Sequence, residues 1–240
     1  MKKYLTLLLF LFFIGCETPT PKKTVYLQNV PKITEDANQT TSEVVESTCV
    51  DNLGYEPEFV KRKEKFYGHT RKGELLMLEG QFGPAKKEFV KALEYDPNNI
   101  DIIRMAAESA MNEPDFDLAI KLFKKAVFID KYDYRSYGNL AFIYYVLEDY
   151  EESKEAFNKV LDIDPDNIMA AAQLAEIYYQ QKNYQNCLRT IELFEQIYYR
   201  SDLYSMSPLI RVDVEKRRES LRVYKKIIER IFENKGNSQL

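Results

Sequence analysis

Residues 81–99 read QFGPAKKEFVKALEYDPNN, and the same phrase returns three times. It is DFDLAIKLFKKAVFIDKYD at 115–133, DYEESKEAFNKVLDIDPDN at 149–167 and, more worn, NYQNCLRTIELFEQIYYRS at 183–201. Aligned on an aromatic residue (Phe82, Phe116, Tyr150, Tyr184), the phrases stand 34 residues apart each time. Three positions on, the side chain is small: Ala85, Ala119, Ser153, Cys187. Four further on it is apolar: Phe89, Phe123, Phe157, Ile191. Three more bring Ala92, Ala126, Val160 and Phe194. Steps of three and four put these positions on one face of an α-helix, and the small site marks a close approach of two helices. Pro97 and Pro165 close the first and third phrases, with Lys131 and Tyr199 in their place in the others.

A second helical stripe precedes each phrase. His69, Lys72, Gly73 and Leu76 open the series, followed by Ile103, Ala106, Ala107 and Ala110. Tyr137, Leu140, Ala141 and Tyr144 come next, then Ala171, Leu174, Ala175 and Tyr178. A 34-residue helix–turn–helix unit with these sites resembles the tetratricopeptide repeat. The resemblance covers units 66–99, 100–133, 134–167 and 168–201, with His69, Ile103, Tyr137 and Ala171 where the family usually has Trp. It implies an all-α fold, an α-solenoid of about four repeats in which each pair hides its apolar face only by stacking on the next. Upstream, Pro57 opens a helical pattern carrying Phe59, Phe66, Leu75, Leu76 and Leu78, so the array is expected over 57–201. Its far end needs a cover. Ser207-Pro208 makes an N-cap and first-turn pair. Ile210, Val214, Leu221, Tyr224, Ile228 and Ile231 then form a stripe to about Asn234, with Gly236 beyond as a stop. Residues 202–240 therefore read as one long C-terminal capping helix.

The start of the chain is of another kind. MKKYLTLLLFLFFIGC places two Lys before an apolar run from Tyr4 to Ile14, shorter than the roughly 20 residues a bilayer-spanning helix needs. It reads as an export signal over residues 1–15. Phe13-Ile14-Gly15-Cys16 resembles the lipobox of bacterial lipoprotein signal peptides, which implies acylation of Cys16. One acyl chain holds only marginally; the resemblance implies two or three. Residues 16–56 are rich in Thr, Pro, Ser and Asn, carry Cys49 and show no sustained period. They read as a disordered tether with a reach of roughly 35 Å. The expected location is outside the cytoplasm, membrane-anchored by lipid: the outer membrane where the cell has one, otherwise the outer face of the cytoplasmic membrane.

Leading helices of tetratricopeptide arrays line a concave groove that takes peptides. By position, the resemblance places Tyr67, Thr70, Glu74 and Met77 there from the first repeat and Asp101, Arg104, Met105 and Glu108 from the second. Arg135, Asn139, Phe142 and Tyr145 come from the third; Met169, Gln173, Glu176 and Tyr179 from the fourth. Aromatics and Arg are favoured at binding hot spots, and Met adapts to varied shapes. Some members clamp chaperone tails with Lys, Asn and Arg; Thr70, Glu74 and Met105 depart from that pattern, so that ligand is not expected. The implied role is a membrane-anchored scaffold binding other proteins or peptides. Two alternatives are an envelope assembly factor, serving outer-membrane barrels, pilus secretins or cell-wall enzymes, and a lipoprotein that self-associates through its final helix.

Composition excludes other classes. One His and three Cys in 240 residues leave little for a catalytic base or a metal cage. No Gly-rich phosphate loop or nucleophile motif occurs, so neither an enzyme nor a cofactor is expected. Residues 66–201 hold 16 Lys/Arg against 23 Asp/Glu, an acidic balance that disfavours nucleic acid. The basic run KRRESLRVYKK at 216–226 reads first as a solvated helix face and second as a contact for anionic lipid or an acidic partner. A Cys49–Cys187 disulfide is a minor alternative to a buried thiol at Cys187.

Overall fold

The computed structural model describes residues 57–237, all helix and short turns. The signal peptide, Cys16, the tether and Cys49 lie outside the described residues. Nine helices follow in order among the described residues: α1 (Pro57–Leu78), α2 (Phe82–Tyr95), α3 (Ile100–Asn112), α4 (Phe116–Ile129), α5 (Tyr134–Val146), α6 (Tyr150–Ile163), α7 (Ile168–Gln180), α8 (Tyr184–Arg200) and α9 (Pro208–Asn237). Each helix packs on the next from α1 to α8, and α9 returns onto α7 and α8. That is a helical-repeat solenoid with a covered end.

The expected stripes form the core. Ala85, Ala119, Ser153 and Cys187 are fully buried, and Phe89, Phe123, Phe157 and Ile191 are buried beside them. Where the small residue is polar, it donates back to the leading helix: Ser153 Oγ to the Ala141 carbonyl at 2.8 Å, Cys187 Sγ to Ala175 at 3.4 Å. The substitutions thus keep the small volume and find a partner for the added polar atom. The core is parted at α7. Ala170, Leu174 and Ile177 face the body built by α1–α6, whereas Ile168, Ala171, Ala172 and Ala175 face the one built with α8 and α9.

The turns repeat as faithfully. Within each pair, an N–H reaches back five residues to close the leading helix: Gln81 to Leu76, Asp115 to Ala110, Asp149 to Tyr144, Asn183 to Tyr178, all at 2.8–2.9 Å. This is the Schellman closure, which favours a left-handed residue before the donor. Gly80 supplies it at φ +74, but Glu148 and Lys182 adopt φ +65 and +58 with side chains attached. Between pairs, Asn99, Asp133 and Asn167 cap the next leading helix through side-chain oxygens.

One expectation about the helix ends is corrected. Where Lys131 stands in place of proline, α4 still stops at Ile129, with Asp130 accepting from the Tyr132 N–H at 2.9 Å. In the fourth repeat, Tyr199 stands at the proline position and α8 runs to Arg200. Gly236 does not end the final helix, which continues to Asn237; one Gly costs about 1 kcal/mol of helix propensity, too little to break a 30-residue helix.

Candidate functional site

The leading helices α1, α3, α5 and α7 carry every expected lining residue. In the first repeat Tyr67 and Glu74 are exposed, and Met77 is half-buried. The second and third repeats share a charged cluster. Arg104 donates to Asp133 Oδ1 at 3.1 Å and also to the Asp101 carboxylate. Asp133 is buried, accepts from Ser136 Oγ at 2.6 Å and caps α5. Glu108, one turn along α3 from Arg104, is pushed up by burial to about 7, although Arg104 and Arg135 pull it down; Asp133 adds to the rise. Both guanidinium groups therefore belong to an internal acid–base cluster that already balances them.

Three expected lining residues are buried instead: Asn139, Phe142 and Gln173. Tight stacking of the alanine-rich helices leaves no solvent at these positions, and Phe142 joins the core of the first body. Tyr145 stays half-exposed. Its hydroxyl donates to Glu176 Oε1 at 3.3 Å and accepts from Gln180 Nε2 at 2.9 Å. Burial, then the Glu176 charge, push that phenol up to about 12.

The fourth repeat is covered. Tyr179 stacks on Tyr224 of α9, with ring centroids 3.9 Å apart and planes 8° from parallel. With its amide oxygen turned toward α9, Gln173 accepts from Arg217 at 3.0 and 3.2 Å. A cavity of about 190 Å³ remains between Ala172 and Glu176 on α7 and Asp213, Lys216, Ser220 and Leu221 on α9. The chain's own final helix thus occupies the face to which Gln173, Glu176 and Tyr179 were assigned. The exposed lining residues that remain, Tyr67, Glu74 and Asp101, lie in repeats one and two.

The arginines of the basic run of α9 are spent internally, while Lys216, Lys225 and Lys226 are exposed. Arg218 donates to both oxygens of Glu195 at 2.9–3.1 Å and to the Tyr199 hydroxyl at 2.7 Å, with its guanidinium 3.7 Å from the Tyr198 ring centre. Arg217 pairs with Asp213 at 2.7 Å. These arginines clamp α9 to α8 and brace its first turns. His69 is structural too: its Nδ1 lies 2.7 Å from Glu88, which Lys72 and Lys91 also contact. Cys187 is a buried free thiol, pushed by burial up to about 11.

Sequence reasoning missed Asp133 and Gln180. Asp133 carried a signal, since it stands 34 residues from Asn99 and Asn167 and is the charged one of the three caps. Gln180 carried none; its role depends on Tyr145 and Tyr150 arriving beside it.

Two of the helix pairs match family models described as tetratricopeptide repeat, over residues 134–167 and 68–99. The array is built of tetratricopeptide repeats. Solved structures of the same fold include a MamA crystal structure, 14% identical, covering 60% of this chain and 84% of that one at a TM-score of 0.56. A second MamA structure is 18% identical and covers 74% and 97% at 0.55. MamA from Desulfovibrio magneticus RS-1 is 19% identical and covers 60% and 81% at 0.54. Comparison with curated proteins gives no match. At these identities the likeness is one of fold. No helix among the described residues is long and apolar enough to cross a membrane.

Proposed function

We propose that this tetratricopeptide array is a protein–protein interaction scaffold that holds an extended segment of a partner along the leading helices of repeats one and two. The observation that carries the reading is the contrast along α1 and α3. The packing stripe of α3 is buried to the last residue, while Tyr67, Glu74 and Asp101 are exposed on the other side, Asp101 held by Arg104. A rigid solenoid presents such side chains at fixed spacing, which lowers the ordering cost of binding. In the same proposal, acylated Cys16 anchors the exported chain to a bilayer and residues 17–56 set the reach of the array. No catalytic role is assigned.

A photo-crosslinking residue placed at Tyr67 or Asp101, and separately at Glu155 or Asp162 on the trailing helix of the third repeat, tests the reading in intact cells. The expected result is a discrete adduct from the first pair and none from the second. Equal adducts from both pairs, or adducts only from the second, remove the groove reading.

The self-associating alternative rests on a specific feature. The outer side of α9 leaves Leu209, Val212, Val223 and Ile227 exposed. Sedimentation equilibrium of the purified chain decides it: a monomer at every concentration eliminates that alternative. Service in envelope assembly is a narrower form of the scaffold proposal, resting on the expected anchor.

A further inference from the structure

The second repeat departs from the others along one edge. Position 128 is Glu94 in the first repeat, Asp162 in the third and Gln196 in the fourth. Here α4 carries Phe128, whose side chain is 89% exposed. Packing does not call for it, because Phe123 already fills the core position of this helix. Lys121 and Lys124, seven and four residues before it, are exposed on the same stripe. Past the helix end stand Lys131 and Tyr132, in place of Pro97-Asn98 and Pro165-Asp166. Tyr132 is 67% exposed, and the Lys131 ammonium lies 5.5 Å from its ring centre. The same edge of the third repeat reads Glu155, Asn158, Asp162 and Asp166. Against the third repeat, this edge has Lys121, Phe128 and Tyr132 in place of Glu155, Asp162 and Asp166; the first and fourth repeats share a basic residue at the first of these positions, Lys87 and Arg189, so the exposed ring of Phe128 is what sets the second apart.

We propose that this edge of α4 is a membrane-contact surface, with Phe128 and Tyr132 entering the headgroup–acyl boundary and Lys121, Lys124 and Lys131 meeting anionic headgroups. Each part fits that occupant. A phenyl ring with no neighbouring protein surface finds its apolar contacts in acyl chains. Tyr keeps its hydroxyl in the wet zone, and lysines bury their stems while holding their ammonium groups at the surface. Charge complementarity selects an anionic bilayer. A nucleic acid fits less well. Two rings on an outward edge form no groove that tracks a strand. The inference stands apart from the groove reading, since it uses the trailing helix and not the leading ones.

The chain has no Trp, so Phe128→Trp in the full chain is a single fluorescent reporter. Vesicles of phosphatidylcholine with and without phosphatidylglycerol are the probe. The expected result is a blue shift, with quenching by brominated lipid, on the anionic vesicles only. Adding Lys121→Glu, Lys124→Glu and Lys131→Glu is expected to weaken that response more than about tenfold. Asp162→Trp, at the same site of the third repeat, is expected not to respond. It controls for binding through the apolar residues 4–14, which would bring both reporters along equally. An unmoved Phe128→Trp signal, an equal response from Asp162→Trp, or a response to duplex DNA or an acidic peptide in place of vesicles would each overturn the proposal.

Discussion

Two glycines of α1 give a matched experiment. An ideal Cβ added at Gly68 meets nothing within 4 Å, whereas one at Gly73 would sit 2.6 Å from Phe89 Cε1 and 2.9 Å from Cδ1 and Cζ. Ala is favoured over Gly in a helix interior by about 1 kcal/mol, a gain both variants share. Gly68→Ala should therefore raise stability by about 1 kcal/mol, or roughly 2–4 °C in Tm for a chain of this size. Gly73→Ala must also drive a fully buried ring back by about 1 Å to reach ordinary carbon contact. Overpacking of that kind costs about 1–3 kcal/mol, so the net effect runs from neutral to a loss of about 2 kcal/mol. The difference between the variants isolates the steric part. Urea denaturation by circular dichroism reads the total, and hydrogen exchange of α1 and α2 amides locates it in the first repeat. Equal stabilisation by both variants would refute the reasoning. The other repeats hold Ala107, Ala141 and Ala175 at the equivalent site, so equality would mean that the first helix pair relaxes freely to the spacing its neighbours already have.

Glu108→Gln should flatten the pH dependence of stability. Because burial lifts this carboxyl from 4.5 to about 7, its contribution is full below pH 4.5 and is lost as pH rises through 7, by at most about 3 kcal/mol. Denaturation at pH 5 and pH 8 should find the variant close to the parent at the lower value and more stable at the higher. Lys182→Gly should stabilise by about 0.5–1 kcal/mol, since relief of the left-handed strain exceeds the added chain entropy; a lower thermal midpoint contradicts it. Arg218→Ala should cost about 2–3 kcal/mol through loss of the Glu195 fork and the Tyr198 stack. Arg218→Lys should recover less than half, because an ammonium makes no fork; hydrogen exchange in α9 is the readout.

The repeat itself was legible because its packing positions recur in chemistry as well as spacing. Small, apolar and aromatic sites 34 residues apart could hardly fold otherwise than as stacked pairs. The lining was less legible, for two physical reasons. Helical periodicity tells which side of a helix avoids its own partner, but not how closely the next repeat crowds it; Asn139 and Phe142 are buried for that reason. Nor does it tell where a later helix will lie. The stripe of α9 was plain, but only its packing angle brings Tyr224 onto Tyr179 and Arg217 onto Gln173. Helix ends were blurred where the stop was shared among several weak signals, as at Ile129 and Gly236.

The parting of the hydrophobic interior at α7 bears on how the molecule would yield under load. Tension applied between its two ends would meet one continuous body from α1 to α6 and a smaller one made with α8 and α9, joined through α7 and through Leu161 of α6. The weaker seam opens first, so the chain would lengthen in two stages, shedding α9 and baring the α7 face before the remaining repeats give way. A load on the ends would thus be met by two bodies in turn rather than by one.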